Sequence, residues 1–417
     1  MRKILIVGAG QSGLQLALGL QSQGYEVTLM SNRTADEIRA GRVMSTQCMF
    51  DTALQHERDL QINFWESQAP RIEGLGVSVA APGSHEAPEG SQRAIDWVGK
   101  LDGYAQSVDQ RVKMAGWMET FAQRGGQLVI HGAAVSDLDF FAGRYDLTLV
   151  SAGKGELVSM FGRNAERSPY DAPQRALAVA YVHGLGPRPE HPDYDAVRCN
   201  LVPGVGELFV MPTYTTSGRA DILFWEGIPG GPLDAFQGVK DPDEHLAVTL
   251  ELMEKFLPWE YARATKVELT DANATLAGRY APTVRNAVGR LPSGGLVLGV
   301  ADVVVANDPI TGQGSNSASK CAASYLASIV ERGDQPFDGD WMRTAFERYW
   351  TTAQHVTKWT NAMLAPPPEH ILNLIGAAGQ LQPVADRFAN GFNDPSDFEN
   401  FFYDPEKTNA YLASLTG

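Results

Sequence analysis

Lys3-Ile4-Leu5-Ile6-Val7-Gly8-Ala9-Gly10-Gln11-Ser12-Gly13 decides the fold: five residues of strand character run straight into a G-x-G-x-x-G turn, and helical spacing follows over Leu14–Gln23. In this pattern the first glycine makes the tight turn, the second lets the backbone approach a pyrophosphate and the third lets helix and strand pack closely, with the helix N-terminus facing the anion. Alternation over Glu26–Met30 then supplies a second strand and completes a βαβ unit of about 30 residues. A strand before the glycines and a helix after them raise the motif from a tight turn to a dinucleotide-binding loop.

Outward from this unit, Asp51–Leu60 has a helical pattern, residues 70–103 read as loops and short strands, and Val108–Arg124 reads as an amphipathic helix stopped by Gly125-Gly126. Leu128–His131 and Leu147–Val150 continue the parallel sheet. Strands at Ala176–Val182, Glu207–Pro212 and Asp221–Trp225, separated by turns, predict an antiparallel sheet, with a helix over Asp243–Phe256 behind an acidic start. Leu296–Val300 returns to parallel-strand character, Asn316–Arg332 is helical, and the remaining chain is helical with Trp341–Leu364 longest and Pro366-Pro367-Pro368 as a joint. The expected fold is α/β, a Rossmann-like domain with an inserted antiparallel substrate domain and a helical C-terminal tail. Its divisions are 1–175 (70–103 loop-rich, toward the substrate domain), 176–275, 276–335 and 336–417.

Composition removes several functions. The 417 residues carry 49 Asp and Glu against 34 Lys and Arg, a net charge of −15, which argues against nucleic-acid or anionic-membrane surfaces. Cys48, Cys199 and Cys321 are far apart and lack a CxxC spacing, which fits a reducing compartment rather than a disulfide framework. The basic, apolar opening imitates a secretory signal, but Gly8, Gly10, Gln11-Ser12 and Gly13 interrupt it; with no apolar run long enough to span a bilayer, a soluble cytoplasmic protein is expected. The 8 histidines show no zinc spacing and no HExxH, so no metal is expected.

The end of the second strand, where such folds place an acidic residue on the ribose, holds Ser31-Asn32-Arg33. These can bond a ribose hydroxyl or meet a phosphate, or face solvent as turn residues. The choice between cofactors rests on Gly299-Val300-Ala301-Asp302 and Asn307-Asp308-Pro309-Ile310-Thr311-Gly312-Gln313-Gly314-Ser315-Asn316. This segment resembles the second flavin signature of the para-hydroxybenzoate-hydroxylase-like monooxygenases. The resemblance implies FAD, with Asp302 on the ribityl chain, Pro309, Gly312, Gln313 and Gly314 presenting backbone to the isoalloxazine, and Asn316 opening the helix behind it. Arg42 and Arg111 are the candidate cations for the cofactor phosphates. Hydroxylases that bind their own NADPH resemble one another in an Asp-Gly step after a strand; Leu149-Val150-Ser151-Ala152-Gly153-Lys154 has Ala152 there.

Over nearly its whole length the chain resembles the oxygenase component of the styrene and indole monooxygenase family. The likeness is carried by Gly8–Gly13, Val27–Arg33, Tyr145-Asp146 through Lys154, Pro173–Leu177, Asp308–Asn316 and Lys358-Trp359-Thr360-Asn361. Ser45, Gln47 and Met49 stand where the styrene branch has Asn, Val and His, which is nearer the indole branch. The resemblance implies reduced FAD supplied by a separate NADH-dependent flavin reductase, and O2 as co-substrate. A flavin hydroperoxide would then epoxidise indole, and styrene-type alkenes or sulfides, without an acid–base residue. The implied pocket takes Ser45, Gln47 and Met49 from the flavin side, Met211 and Trp225 from the sheet, and Asn307, Pro309 and Ile310 beside the ring. Gln47 or Ser45 would meet an indole N–H. Cys48 sits between two of these residues, and a homodimer is left open. The alternative is a single-component NAD(P)H-dependent aromatic hydroxylase; Phe224-Trp225-Glu226-Gly227-Ile228-Pro229 only grazes the W-x-W-x-I-P motif of flavin halogenases.

Overall fold

The computed structural model describes residues 2–86, 91–152, 155–190 and 194–416. Its strands are β1 (Lys3–Val7), β2 (Glu26–Ser31), β3 (Ile72–Ala80), β4 (Arg93–Ala105), β5 (Gln127–Ile130), β6 (Leu147–Val150), β7 (Ala176–His183) and β8 (Ala196–Val202). They continue as β9 (Gly206–Thr215), β10 (Gly218–Gly227), β11 (Glu268–Leu269), β12 (Thr275–Gly278), β13 (Thr283–Val284), β14 (Val288–Arg290), β15 (Leu296–Gly299) and β16 (Val305–Ala306).

The first sheet has the order β14-β15-β6-β1-β2-β5 and is parallel except at β14. Ile4–Val7 are buried, as a parallel strand covered on both faces requires. In register, Val7 stands opposite Met30 and Val150, and Val150 opposite Gly299. The segments that follow these strands, at Gly8, Ser31, Ser151 and Val300, therefore emerge along one edge, the side on which open α/β sheets bind ligands.

The second sheet runs β11-β7-β10-β9-β8-β3-β4, with β12 also on β7, and is antiparallel except for the parallel pair β3–β8. Here the loop-rich reading of 70–103 is corrected: β3 and β4, of 9 and 13 residues, make up about a third of the sheet's strand residues. The glycines that read as turn signals are packing sites. A Cβ at Gly74 would lie 2.3 Å from the Tyr194 hydroxyl, and one at Gly76 2.7 Å from an Arg198 guanidinium nitrogen. The open edge of β4 is covered by the Gln382–Asn390 helix, where Asp386 and Asn390 accept the N–H groups of Lys100 and Asp102 at 2.7 and 2.9 Å.

Strand alternation divides this sheet into two faces. Leu208, Val210, Leu223 and Trp225 pack against the Pro242–Phe256 helix, whose N-terminus is capped by Asp241. Phe209, Met211, Ile222 and Phe224 face the other way and share a core with Cys48 and Ile310. The Gln110–Gln123 helix departs from its expected amphipathicity: Arg111 and Lys113 are buried along with Met114, Ala115, Trp117, Met118 and Phe121, and Gly125 at φ +87° ends it. The Gly339–Leu364 helix, 26 residues long, begins the helical C-terminal region. Among the described residues, no helix is long and apolar enough to cross a membrane.

Candidate active site

The three glycines of the first loop have separate, measurable jobs. Gly8 has φ +115°, and a Cβ there would lie 2.8 Å from the Ala152 nitrogen. A Cβ at Gly13 would lie 2.0 Å from the Gly8 oxygen, so helix and strand could not meet. At Gly10 a Cβ would touch nothing within 4 Å, and Gly10 caps the helix without any side-chain bond. The first N–H groups of Gln11–Ser22 thus face an open cradle, a site for a pyrophosphate. Gln11 and Ser12 bring only backbone to it. The Gln11 side chain turns inward to Glu57 at 3.0 Å, itself paired at 2.8 Å with buried Lys113, and the Ser12 hydroxyl bonds that of Ser151 at 2.8 Å.

Beyond β2, the Ser31 hydroxyl donates to the Arg33 carbonyl at 2.6 Å and closes its own turn, while Asn32 is exposed. Arg33 lies against Met44, with a nitrogen 3.2 Å from the sulfur. Arg42 is exposed and has neither hydrogen bond nor ion pair among the described residues. Arg111 is corrected from a phosphate ligand to a structural cation. It bonds Asp109 at 2.8 and 2.9 Å, Asp271 at 2.9 and 3.0 Å and the Gly41 carbonyl at 3.4 Å, leaving no N–H for a cofactor. What it holds is the loop that carries Arg42.

The second signature begins with a strained residue. Ala301 has φ +50° and donates its N–H to the Cys321 sulfur at 3.3 Å, so that the turn over Ala301–Val303 puts Asp302 on the exposed side. Asp308 caps the next turn by accepting the Ile310 N–H at 3.2 Å, and Gly312, left-handed at φ +62°, hands the chain to the Gly314–Arg332 helix. Nothing lies within 4 Å of a Cβ at Gly312 or Gly314, a second open backbone surface. The side chains of Gln313 and Asn316 are spent inside the protein, on the Phe392 carbonyl at 2.9 Å and on the backbone of Cys48 and Phe50 at 2.8 Å each. That corrects Asn316 from a cofactor contact to a clamp. Asn307 is held by Thr357 at 3.0 Å and by the Tyr280 hydroxyl at 2.6 Å, and Pro309 is half-buried.

The expected pocket residues separate. Trp225 belongs to the helix-packed face of its sheet, opposite Met211, because a strand reverses direction at each residue; Phe224 takes the place assigned to it. Met49 is fully buried against Ala53 and Leu54, and Cys48 rather than Met49 joins the core with Ile310 and Met211. Burial pushes the Cys48 thiol up to about 12, so it stays protonated. Ser45 is exposed and accepts from Gln110 at 2.6 Å. Gln47 donates to the Val108 carbonyl, and its buried side-chain oxygen has no donor among the described residues. Phe209 and Phe224 were missed, although alternation about Met211 carried the signal. Gly153 and Lys154 lie outside the described residues.

A cradle at Gly10 with free helix N–H groups, and a second open turn at Gly312–Gly314, fit the two ends of a long, anionic dinucleotide. Comparison with known proteins agrees. The family described as "Styrene monooxygenase A putative substrate binding domain" matches residues 153–263. Styrene monooxygenase StyA of Pseudomonas fluorescens is 30% identical over 97% of this chain and 96% of its own, and the StyA of Pseudomonas sp is 30% identical over 99% and 98%. In fold the chain is similar to the flavin-dependent brominase Bmp2 (TM-score 0.66, 14% identity, 99% of this chain and 98% of that one). It is also similar to P. aeruginosa PqsL in complex with 2-aminobenzoylacetate (TM-score 0.61, 12% identity, 94% and 99%). The cofactor is FAD, and the chain belongs to the styrene monooxygenase family of flavin-dependent monooxygenases.

Proposed function

We propose that the chain is the oxygenase component of a two-component system, taking reduced FAD from a separate NADH-dependent reductase and transferring one oxygen atom to indole, and also to styrene-type alkenes or sulfides. Ala152, in place of the Asp that touches the nicotinamide cofactor in self-reducing hydroxylases, favours an external source of electrons. The observation that carries the indole assignment is the buried, donorless oxygen of Gln47, with its amide orientation set by the bond to Val108. An unsatisfied buried acceptor costs about 1–3 kcal/mol, and a substrate N–H would recover it.

Bound reduced FAD supplies activation of O2 and an electrophilic oxygen. The protein's own residues bind, orient and exclude water. The N–H groups after Gly10 would hold the pyrophosphate, with Arg42 and Arg33 as the cations for its charge. Asp302 would hold the ribityl chain, and the backbone of Pro309–Gly314 the ring. Phe209, Phe224 and Ile310 supply an apolar wall beside it that keeps water out.

The test adds chemically reduced FAD, air and indole to the purified protein. Blue pigment from indoxyl is the expected result, with no NADH oxidation by the protein alone. Hydrogen peroxide as the sole product with both indole and styrene rules the reading out, and NADH oxidation without a reductase supports the single-component alternative.

A further inference from the structure

A group of charged side chains beside the flavin-facing turn has no part in the function above. Glu226 on β10 is fully buried, on the face shared with Ile222 and Phe224, and no N–H or O–H among the described residues reaches either of its oxygens. Its cross-strand partner is Glu207 on β9. Arg175 grips Glu207 at 2.8 and 3.0 Å, so the cation of the group is committed there. Asp308, 2% exposed, uses one oxygen to cap the Pro309–Thr311 turn and brings its carboxyl against that of Glu226. The other titratable groups that the charge of Glu226 reaches, Tyr280 and Cys199, are not cations.

Two carboxyl groups in contact and out of water, whose nearest cation among the described residues, Arg175, is bonded to a third carboxylate, cannot both be ionised. We propose that Glu226 and Asp308 share one proton, and that this proton ties the substrate-side sheet to the turn that faces the flavin, making Glu226 a positioning residue. The proton resides on Glu226, which donates to the Asp308 carboxylate; Asp308 is then held between Glu226 and the Ile310 N–H. Burial and the neighbouring carboxylates push Glu226 well above the ordinary carboxyl range and Asp308 up to about 6, in keeping with a pair that titrates as a unit. Loss of the proton sets two negative charges against each other and moves Pro309–Gly312 away from the sheet. The inference rests on the reading of this turn as the flavin site, but the proton itself can be observed without flavin.

The experiment is difference infrared spectroscopy of the apoprotein near neutral pH. The carbonyl band of a protonated carboxylic acid should be present in the native protein and in D308N, and absent in E226Q. Identical spectra for the native protein and E226Q overturn the proposal. A parallel titration with oxidised FAD should show native affinity falling by at least about tenfold, one pKa unit of coupling, between about pH 6 and about pH 10. In E226Q, whose amide still donates to Asp308, the change should be less than about threefold. If E226Q does not fold, a pH-independent native affinity overturns the proposal by itself. No FAD binding at any pH refutes the cofactor assignment and leaves the infrared result standing.

Discussion

The side-chain amide of Asn316 donates to the carbonyl of Cys48 at 2.8 Å, joining residues 268 positions apart in the chain. Its oxygen accepts the Phe50 N–H, also at 2.8 Å, so one side chain takes both bonds that a neighbouring strand would offer. The loop bearing Gln47 is thereby fastened to the first turn of the helix that opens at Gly314. Asn316→Ala should cost about 2 kcal/mol, near 1 kcal/mol for each buried bond. Thermal melting measures this, and indole turnover should fall more than FAD affinity does.

The glycines of the first loop should separate under substitution. Gly10→Val fills the cradle and should weaken FAD binding at least about tenfold, or 1.4 kcal/mol, with the melting point of the apoprotein nearly unchanged. Gly13→Ala drives a methyl into the Gly8 carbonyl and should destabilise the apoprotein by roughly 1–3 kcal/mol or more. A fluorescence titration paired with a melting curve distinguishes the two outcomes.

Arg42 and Arg111 should also behave differently. Arg111→Met leaves Asp109 and Asp271 without their cation and should cost roughly 3–5 kcal/mol. Arg42→Met, at an exposed position without an ion pair among the described residues, should change stability by less than about 0.5 kcal/mol. It should lower FAD affinity in a salt-dependent way, which titration at two ionic strengths would show.

Gln47→Leu tests the substrate assignment. It removes the buried acceptor and should reduce kcat/KM for indole by roughly tenfold or more, while styrene, which has no N–H, changes little. Equal losses on both substrates would mean that Gln47 shapes the loop rather than binding the N–H.

His245, buried against Phe236 and near Arg42, is pushed down to about 4 by burial and by that cation. The folded protein favours the neutral imidazole, so its contribution to stability is complete above the unfolded value of about 6.5. It is lost as pH falls from there toward about 4. Melting curves across this window should fall more steeply for the native protein than for His245→Gln.

Legibility followed the range of the interactions. Gly8–Gly13 and Asp308–Gly314 were readable because turn geometry and helix N-termini are set by neighbours in sequence. Residues 70–103 read as loops and short strands because Gly74, Gly76 and Gly99 look like turn residues along the chain, and only Tyr194, Arg198 and Ala385 lying across them show them as close-packing positions. Arg111 and Asn316 read as cofactor ligands because a free cation and a helix-opening Asn look the same in sequence whether or not a distant partner occupies them.

By itself, the sequence determined the dinucleotide fold and the order of the elements, since strand and helix periods and glycine turns are local properties, and its resemblance to a known flavin signature implied the cofactor class. The tertiary structure alone decided which polar groups remain available. Asp109 and Asp271 occupy Arg111, Cys48 and Phe50 occupy Asn316, and the pleat of β10 sends Trp225 away from Met211. Glu226 and Asp308 show the same rule from the other side: two carboxyls 82 positions apart in the chain are pressed together by folding while Arg175 is bonded to Glu207, and only that placement gives them a shared proton.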